Sequence, residues 1–308
     1  VVGHSREPGV VAEGKILNRV VRATPKGWEY ESDQRHAEII IQLLELEHAK
    51  ILSTPGADDP KQTQEEDDEV SQSLPPDQAT LFRAVSARGN FMSQDRSDVQ
   101  YNVKECCRSM SNPDQRAWGH LKRLGRYLRG RPRAVAHFPW YVPEQVLDVY
   151  SDSNWAGCRP SRKSTSGGAI MLGPCCIKSW SKTQNTIAQS SAEAELIATV
   201  KAATEALGIV SLAADLGIEC STRMHIDASA ALGIVERRGV GRVRHLDVGM
   251  LWLQEQLARD TVPLLKVLGT ENSADLMMKN LGADMIKRHT ARLRLEFREG
   301  RSVKAAQL

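Results

Sequence analysis

Residues 146–182 read VLDVYSDSNWAGCRPSRKSTSGGAIMLGPCCIKSWSK, and this stretch sets the fold. Val146–Trp155 reads as an apolar strand with Asp152 near its end. Gly168–Leu172 and Cys176–Ser181 read as two more, joined through the turn at Gly173-Pro174. Beyond them a long helix spans about Ser191–Leu216. It opens on Ser190-Ser191-Ala192-Glu193, a capping box with Ser190 as the cap and Glu193 at the third helical position. Met224–Asp227 is a short strand, Ser229–Arg237 and His245–Arg259 are helices, Val262–Val267 is a final strand, and Asn272–Asn280 closes as a last helix. A hairpin of strands followed by alternating helices and strands predicts an α/β unit, a mixed sheet with helices on its faces. No internal repeat is visible.

Working back from Val146, Pro139 and Pro143 mark a boundary. Asp77–Arg131 is helical in pattern, with Asn112-Pro113-Asp114 as a break and cap. Its last part, QRAWGHLKRLGRYLRGRPR from Gln115 to Arg133, holds seven Lys or Arg and no acid. Trp118, Leu121, Leu124 and Leu128 recur at helical spacing as an apolar stripe. Lys122, Arg126 and Arg129 fall together elsewhere on the helix with Arg123 beside them, a face suited to a polyanion. An ordinary solvated face is the alternative. Smaller basic patches lie at Arg237–Arg244 and Lys287–Arg301. Between Asp58 and Asp77 the balance reverses: eight acids face Lys61 alone, so that segment carries −7 and the rest of the chain +10. Rich in Gln, Ser and Pro and nearly free of apolar residues, it reads as a solvated linker. Residues 14–50 read as strands near Ile16–Arg22 and Trp28–Glu31, then a helix from about Asp33 to Ala49.

Composition removes whole classes. At 308 residues the chain allows one large domain or two ordinary ones. With 41% hydrophobic and 26% charged residues it is neither collagen-like nor wholly disordered. No apolar run reaches the roughly 18 residues of a membrane span; the best candidate, Ala202–Ile218, is broken by Glu205 and Asp215. No signal pattern opens the chain, and it begins with Val1, not Met, which points to a piece of something longer. The six cysteines (Cys106, Cys107, Cys158, Cys175, Cys176 and Cys220) show no CxxC pair and no zinc-ligand spacing. They read as reduced thiols, and the expected setting is cytoplasm and nucleus, with no membrane.

Four acids suggest chemistry. Asp152 and Asp227 end strands, Glu195 lies in the first turns of the long helix, and Asp275 near the start of the last one. Glu195 points roughly 200° around the helix from Glu193, so the capping box leaves it free. Four carboxylates converging on one sheet edge cannot all stay ionised without a cation. Oxygen ligands without Cys or His select Mg²⁺ or Mn²⁺ over zinc. Each acid also fits an ordinary role: Asp152 and Asp227 as turn caps, Glu195 as an exposed helix residue, Asp275 as a helix cap. Spacing alone favours the ordinary roles.

Six blocks shift that balance. Tyr150-Ser151-Asp152-Ser153-Asn154-Trp155-Ala156-Gly157, Arg162-Lys163-Ser164-Thr165-Ser166-Gly167 and Ser179-Trp180-Ser181-Lys182-Thr183-Gln184 come first. Ser190-Ser191-Ala192-Glu193-Ala194-Glu195, Arg244-His245-Leu246-Asp247 and Ala274-Asp275-Leu276 follow. In this order, over about 140 residues, they resemble the ribonuclease H region of copia-type retrotransposon Pol polyproteins. Phe82 to Arg131 is similar to the helical thumb of the reverse transcriptase, with Ser97 where the family usually has Pro. Residues 14–56 look like the end of the polymerase palm, and the Tyr-x-Asp-Asp turn is absent, so no polymerase activity is expected.

The resemblance implies a ribonuclease H-like mixed five-stranded sheet with flanking helices, preceded by a mainly helical thumb-like region. It implies the segments 1–56 (palm end), 57–77 (acidic disordered linker), 78–142 (thumb-like connection), 143–283 (ribonuclease H-like domain) and 284–308 (basic helix and tail). It places Asp152, Glu195, Asp227 and Asp275 in an Asp–Glu–Asp–Asp catalytic metal site. Two Mg²⁺ ions about 4 Å apart, with Mn²⁺ able to substitute, would serve endonucleolytic cleavage of the RNA strand of RNA–DNA hybrids. Discrimination would rest on the 2′-hydroxyl. Lys122, Arg123, Arg126, Arg129, Arg162, Lys163, Arg242 and Arg244 are candidates to hold the hybrid's phosphates, and the rest of the Pol polyprotein is the implied protein partner.

Two departures stand out. Leu268-Gly269-Thr270-Glu271-Asn272 lacks the His that many cellular ribonucleases H carry before the last Asp. Asp227-Ala228-Ser229-Ala230 lacks the usual Asn after its Asp. The alternative is a decayed or co-opted module that grips nucleic acid without cutting it. An integrase-like reading fits less well, because that fold uses three acids and no Cys/His unit lies upstream.

Overall fold

The computed structural model of the chain describes residues 2–3, 9–58, 72–142, 144–236 and 248–307. The chain divides into two compact units, residues 1–140 with 280–308, and residues 141–279.

The first unit opens with an antiparallel meander of β1 (Glu13–Ile16), β2 (Arg19–Thr24) and β3 (Gly27–Glu31). The single strand expected over Ile16–Arg22 is therefore broken. Leu17 and Asn18 take left-handed φ of 48° and 65° and turn the chain between Ile16 and its partner Arg19, the two-residue hairpin geometry. Helices α1 (Arg35–Leu43), α2 (Pro76–Met92), α3 (Gln100–Arg108) and α4 (Gln115–Gly130) follow. Asp114 caps α4, its carboxylate accepting from the Ala117 amide at 2.7 Å. Trp118, Leu121, Leu124 and Leu128 are buried against Ile40, Phe82 and Val103, so the apolar stripe is the core face. Most of the acidic linker, residues 59–71, lies outside the described residues. The chain resumes alongside α4, where the Gln115 amide donates to the Gln72 carbonyl at 3.1 Å.

After β4 (Arg133–Pro139) the chain enters the second unit. There β5 (Val146–Asn154), β6 (Thr165–Leu172) and β7 (Cys175–Thr183) form an antiparallel hairpin sheet. Helix α5 (Ser191–Asp215) crosses to β8 (Ser221–Ile226), which pairs parallel with β5. Helices α6 (Ser229–Val235) and α7 (Val248–Ala258) lead to β9 (Leu264–Lys266), parallel with β8. The order β7-β6-β5-β8-β9 makes the expected mixed five-stranded sheet with flanking helices. By length and composition α5 would suffice to cross a membrane, although an unbroken apolar run is absent from the sequence. Its Leu196, Ala202, Ala203 and Ala206 instead pack on Leu147, Val149, Ile170 and Ile226 of the sheet, and Glu195 shares its buried side. That is the packing of a core helix.

The helix expected over Asn272–Asn280 is one 3₁₀ turn, Ser273–Met277, and a first such turn, Gly269–Glu271, precedes it. The second lies so close to β6 that a Cβ on Gly167 would stand 2.7 Å from the Ala274 carbonyl oxygen. Tertiary contact, not helical propensity, shapes this segment. The chain then returns to the first unit as α8 (Ala283–Arg292) and β10 (Leu295–Arg298). Strand β10 pairs with β4 and completes the antiparallel order β1-β2-β3-β4-β10. The expected basic tail thus contains a sheet strand.

Candidate metal centre

Strand β5 alternates inward apolar side chains, Leu147 and Val149, with polar ones, and delivers Asp152 buried near its end. Helix α5 delivers Glu195. Ser190 caps this helix by accepting from the Glu193 amide at 3.2 Å, while Glu193 accepts from the Gln189 amide at 2.6 Å. The box therefore closes one residue further back than its usual form. Asp227 follows β8 directly. One oxygen each from Asp152, Glu195 and Asp227 lies within 4.8 Å of the other two.

Asp275 reaches the group on the 3₁₀ turn. Asn272, fully buried, donates from Nδ2 to the Ser151 carbonyl at 2.9 Å and accepts from the Ala274 amide at 3.1 Å. It ties the turn to the residue before Asp152. Asp275 then lies near enough to Asp152 to help raise the Asp152 carboxyl. The Lys279 ammonium meets the Asp275 carboxylate at 2.6 Å.

Burial foremost, then the Glu195 charge and the contact with Asp275, push the Asp152 carboxyl well above the ordinary carboxylate range. Glu195 is also raised: burial outweighs the hydrogen bonds from Ser153, and Asp227 adds to it. Burial and Asp275 raise Asp227 against the pull of Lys279 and Lys266. The site therefore demands protons or a cation. It also has a place for one. Glu195 Oε2 is buried and has no hydrogen-bond partner among the described residues, and Cys and His are absent from the convergent group. An all-oxygen donor set of this kind fits a hard divalent ion.

The other candidate residues divide. Arg162, exposed at φ 53°, and Lys163 lie on the 155–164 loop that follows β5. Arg242 and Arg244 lie outside the described residues. On α4 the arginines are partly spent within the first unit. Arg123 donates to Thr54 Oγ1 at 2.7 Å, Arg126 to the Lys50 carbonyl at 2.8 Å, and Arg129 to the carbonyls of Glu47 and Ala49 at 2.6 and 2.5 Å. Lys122 lies over the Trp118 ring. A groove of about 600 Å³ beside them is lined by Lys122, Arg123, Arg126, Leu46 and Leu52. Sequence reasoning did not single out Ser153, Asn272 or Lys279. The available signals were the place of Ser153 directly after Asp152 and the Asn272-x-x-Asp275 spacing.

The chain is 26% identical over 270 residues to a retrovirus-related Pol polyprotein from transposon TNT 1-94 of Nicotiana tabacum, covering 85% of this chain and 20% of that one. It is 32% identical over 193 residues to an uncharacterized mitochondrial protein, AtMg00810, of Arabidopsis thaliana, covering 62% of this chain and 75% of that one. The chain belongs to the copia-type retrotransposon Pol family. This Pol chain spans about a fifth of the length of the transposon polyproteins it matches. No family model matches it. Among solved structures it is similar to a foamy viral protease-reverse transcriptase in complex with dsDNA, at TM-score 0.48 and 12% identity over 84% of this chain and 45% of that one. It is also similar to LC11-RNase H1 in complex with an RNA/DNA hybrid, at TM-score 0.32 and 13% identity over 43% of this chain and 93% of that one.

Proposed function

We propose that this Pol fragment is a divalent-metal-dependent ribonuclease that cuts the RNA strand of RNA–DNA hybrids, and that it does not polymerise. The convergence of Asp152, Glu195 and Asp227 within 4.8 Å carries the reading. Asp152, Glu195, Asp227 and Asp275 would hold Mg²⁺, with Mn²⁺ able to replace it. The bound metal supplies the positive charge against which a phosphodiester oxygen and a water can react. The protein's part is to keep the four carboxylates in register: Asn272 ties Asp275 to β5, Ser153 holds Glu195, and Lys279 balances Asp275. Arg162 and Lys163 are proposed phosphate contacts on the loop after Asp152. On α4, Lys122, Arg123, Arg126 and Arg129 keep that role as a proposal for their remaining donors. Burial and the adjacent Arg126 hold the Arg123 guanidinium below its usual range, and an anion would relieve that repulsion. All six cysteines are free, which suits the proposed setting of cytoplasm and nucleus.

Cleavage of a strand-labelled RNA–DNA hybrid with Mg²⁺, beside duplex DNA and duplex RNA, tests the proposal. The expected result is cutting of the hybrid's RNA strand alone, abolished by Asp152→Asn. Salt-sensitive hybrid binding without cutting would overturn it and leave a nucleic-acid-binding module.

A further inference from the structure

We infer that Ser153 is a positioning residue that orients Glu195 toward the divalent cation; this rests on the metal-dependent reading above. Glu195 enters the site from a helix on a side chain with three rotatable bonds, and burial alone does not choose among its rotamers. Ser153 does. Its hydroxyl donates to Glu195 Oε1 at 2.7 Å, and its amide donates to the same oxygen at 3.2 Å. That amide also donates to Asp152 Oδ1 at 2.7 Å. A single residue thus grips one oxygen of Glu195 and one of Asp152, two of the three acids that converge within 4.8 Å.

The consequence falls on the other Glu195 oxygen. With Oε1 occupied by two donors, the carboxylate plane is fixed, and Oε2 is left buried without a hydrogen-bond partner among the described residues. An unpaired buried acceptor is costly unless something fills it, and a hard cation is the partner that the surrounding oxygens share. Ser153 is itself buried within β5, opposite Ser166 of β6, so its hydroxyl does not contend with bulk water for Glu195. Only the hydroxyl bond depends on the side chain. The two amide bonds survive replacement by alanine, so the variant isolates one contact.

Isothermal titration of the full chain with Mn²⁺, without nucleic acid, tests the inference. Outer partners that orient metal ligands typically control affinity by 10–100-fold, so Ser153→Ala should weaken Mn²⁺ binding roughly tenfold. The melting temperature without metal should stay within about 4 °C of the wild type, because the hydroxyl contributes a single hydrogen bond. Ser153→Thr, which keeps the hydroxyl, should restore the affinity. Wild-type Mn²⁺ affinity in Ser153→Ala overturns the inference and leaves the metal-dependent reading standing, and so does equal loss in both variants. Absence of Mn²⁺ binding by the wild type overturns both.

Discussion

Asp152 is buried beside two other carboxylates, and the folded state resists its ionisation. Groups whose carboxyl pKa is raised on folding bind more protons folded than unfolded, so their ionisation subtracts stability. For Asp152, Glu195 and Asp227 this fixes the sign. The stabilisation from the protonated forms is complete below the unfolded values, about pH 4. It is lost as pH rises through the folded values, which burial and mutual repulsion set higher. At neutral pH without metal the site is therefore a store of repulsion, and Asp152→Asn should relieve it. We expect Asp152→Asn to raise the metal-free melting temperature at pH 7.5 by about 3–6 °C and to lose the stabilisation that Mg²⁺ gives the wild type. A lower melting temperature in calorimetry would show that the carboxylate is held by donors and not strained. Asp152, Glu195 and Asp275 stand in recognisable blocks of the sequence, and Asp227 was picked out by its place at the end of a strand. Ser153 and Asn272 were not, since their meaning lies in partners 42 and 121 residues away, Glu195 and the Ser151 carbonyl.

Helix α4 shows how far local pattern carries at the scale of an element. The 3.6-residue spacing of Trp118, Leu121, Leu124 and Leu128 located its buried face, and Asp114 its start. The opposite face was legible only as charge. In the structure Arg126, Arg129 and Arg131 supply donors to the carbonyls of Glu47, Ala49, Lys50 and Ser53, which lie in irregular backbone, and Arg123 donates to the Thr54 hydroxyl. Segments without periodicity leave no trace of such partners. The same limit hid β4 and β10. Each is a short strand whose pairing, Ala136 with Leu295 and Ala134 with Phe297, joins residues far apart in the chain. The turn around Ser97, within the thumb-like stretch, holds a buried lock. Arg96 forks onto Asp98 at 2.9 and 2.8 Å, and the Tyr127 hydroxyl donates to the same carboxylate at 2.9 Å. Breaking the α4 clamp should be measurable. Arg129→Met, which keeps the aliphatic stem, should cost about 1 kcal/mol in urea unfolding, while Lys122→Met should leave stability within about 0.5 kcal/mol. Equal effects would mean that net charge, and not the carbonyl contacts, governs this helix.

Across the whole molecule, the carboxyls of the first unit's sheet and those of the second unit's acidic cluster shift in opposite directions. In the first, Glu31 is buried on β3 and receives Arg133 at 2.6 Å and Arg22 at 2.6 Å. Burial would raise its carboxyl, but the hydrogen bonds from Arg133 and the charge of Arg22 outweigh that and hold it below the usual range. The Arg298 hydrogen bond lowers Glu29 and Glu296 in the same way, tying β10 to the rest of the sheet. Depressed carboxyls give stability that is present above their unfolded values, about pH 4.3, and lost as pH falls through the folded ones. The second unit, with its raised acids, gains stability over the same descent. Calorimetry of the full chain should therefore resolve two transitions that move oppositely. From pH 7.5 to pH 4 without metal, the transition of residues 141–279 should rise; below pH 4 that of the β1–β4 and β10 sheet should fall. Mg²⁺ at neutral pH should lift only the first of these, by about 2.7 kcal/mol at a hundredfold excess over its Kd, because the acidic cluster proposed to hold it lies within residues 141–279. Glu31→Gln should abolish most of the acid sensitivity and leave the Mg²⁺ response intact, whereas Asp152→Asn should do the reverse. A single transition answering to both metal and Glu31 would show that the two units unfold as one, with a midpoint that rises as pH falls to about 4 and drops below it.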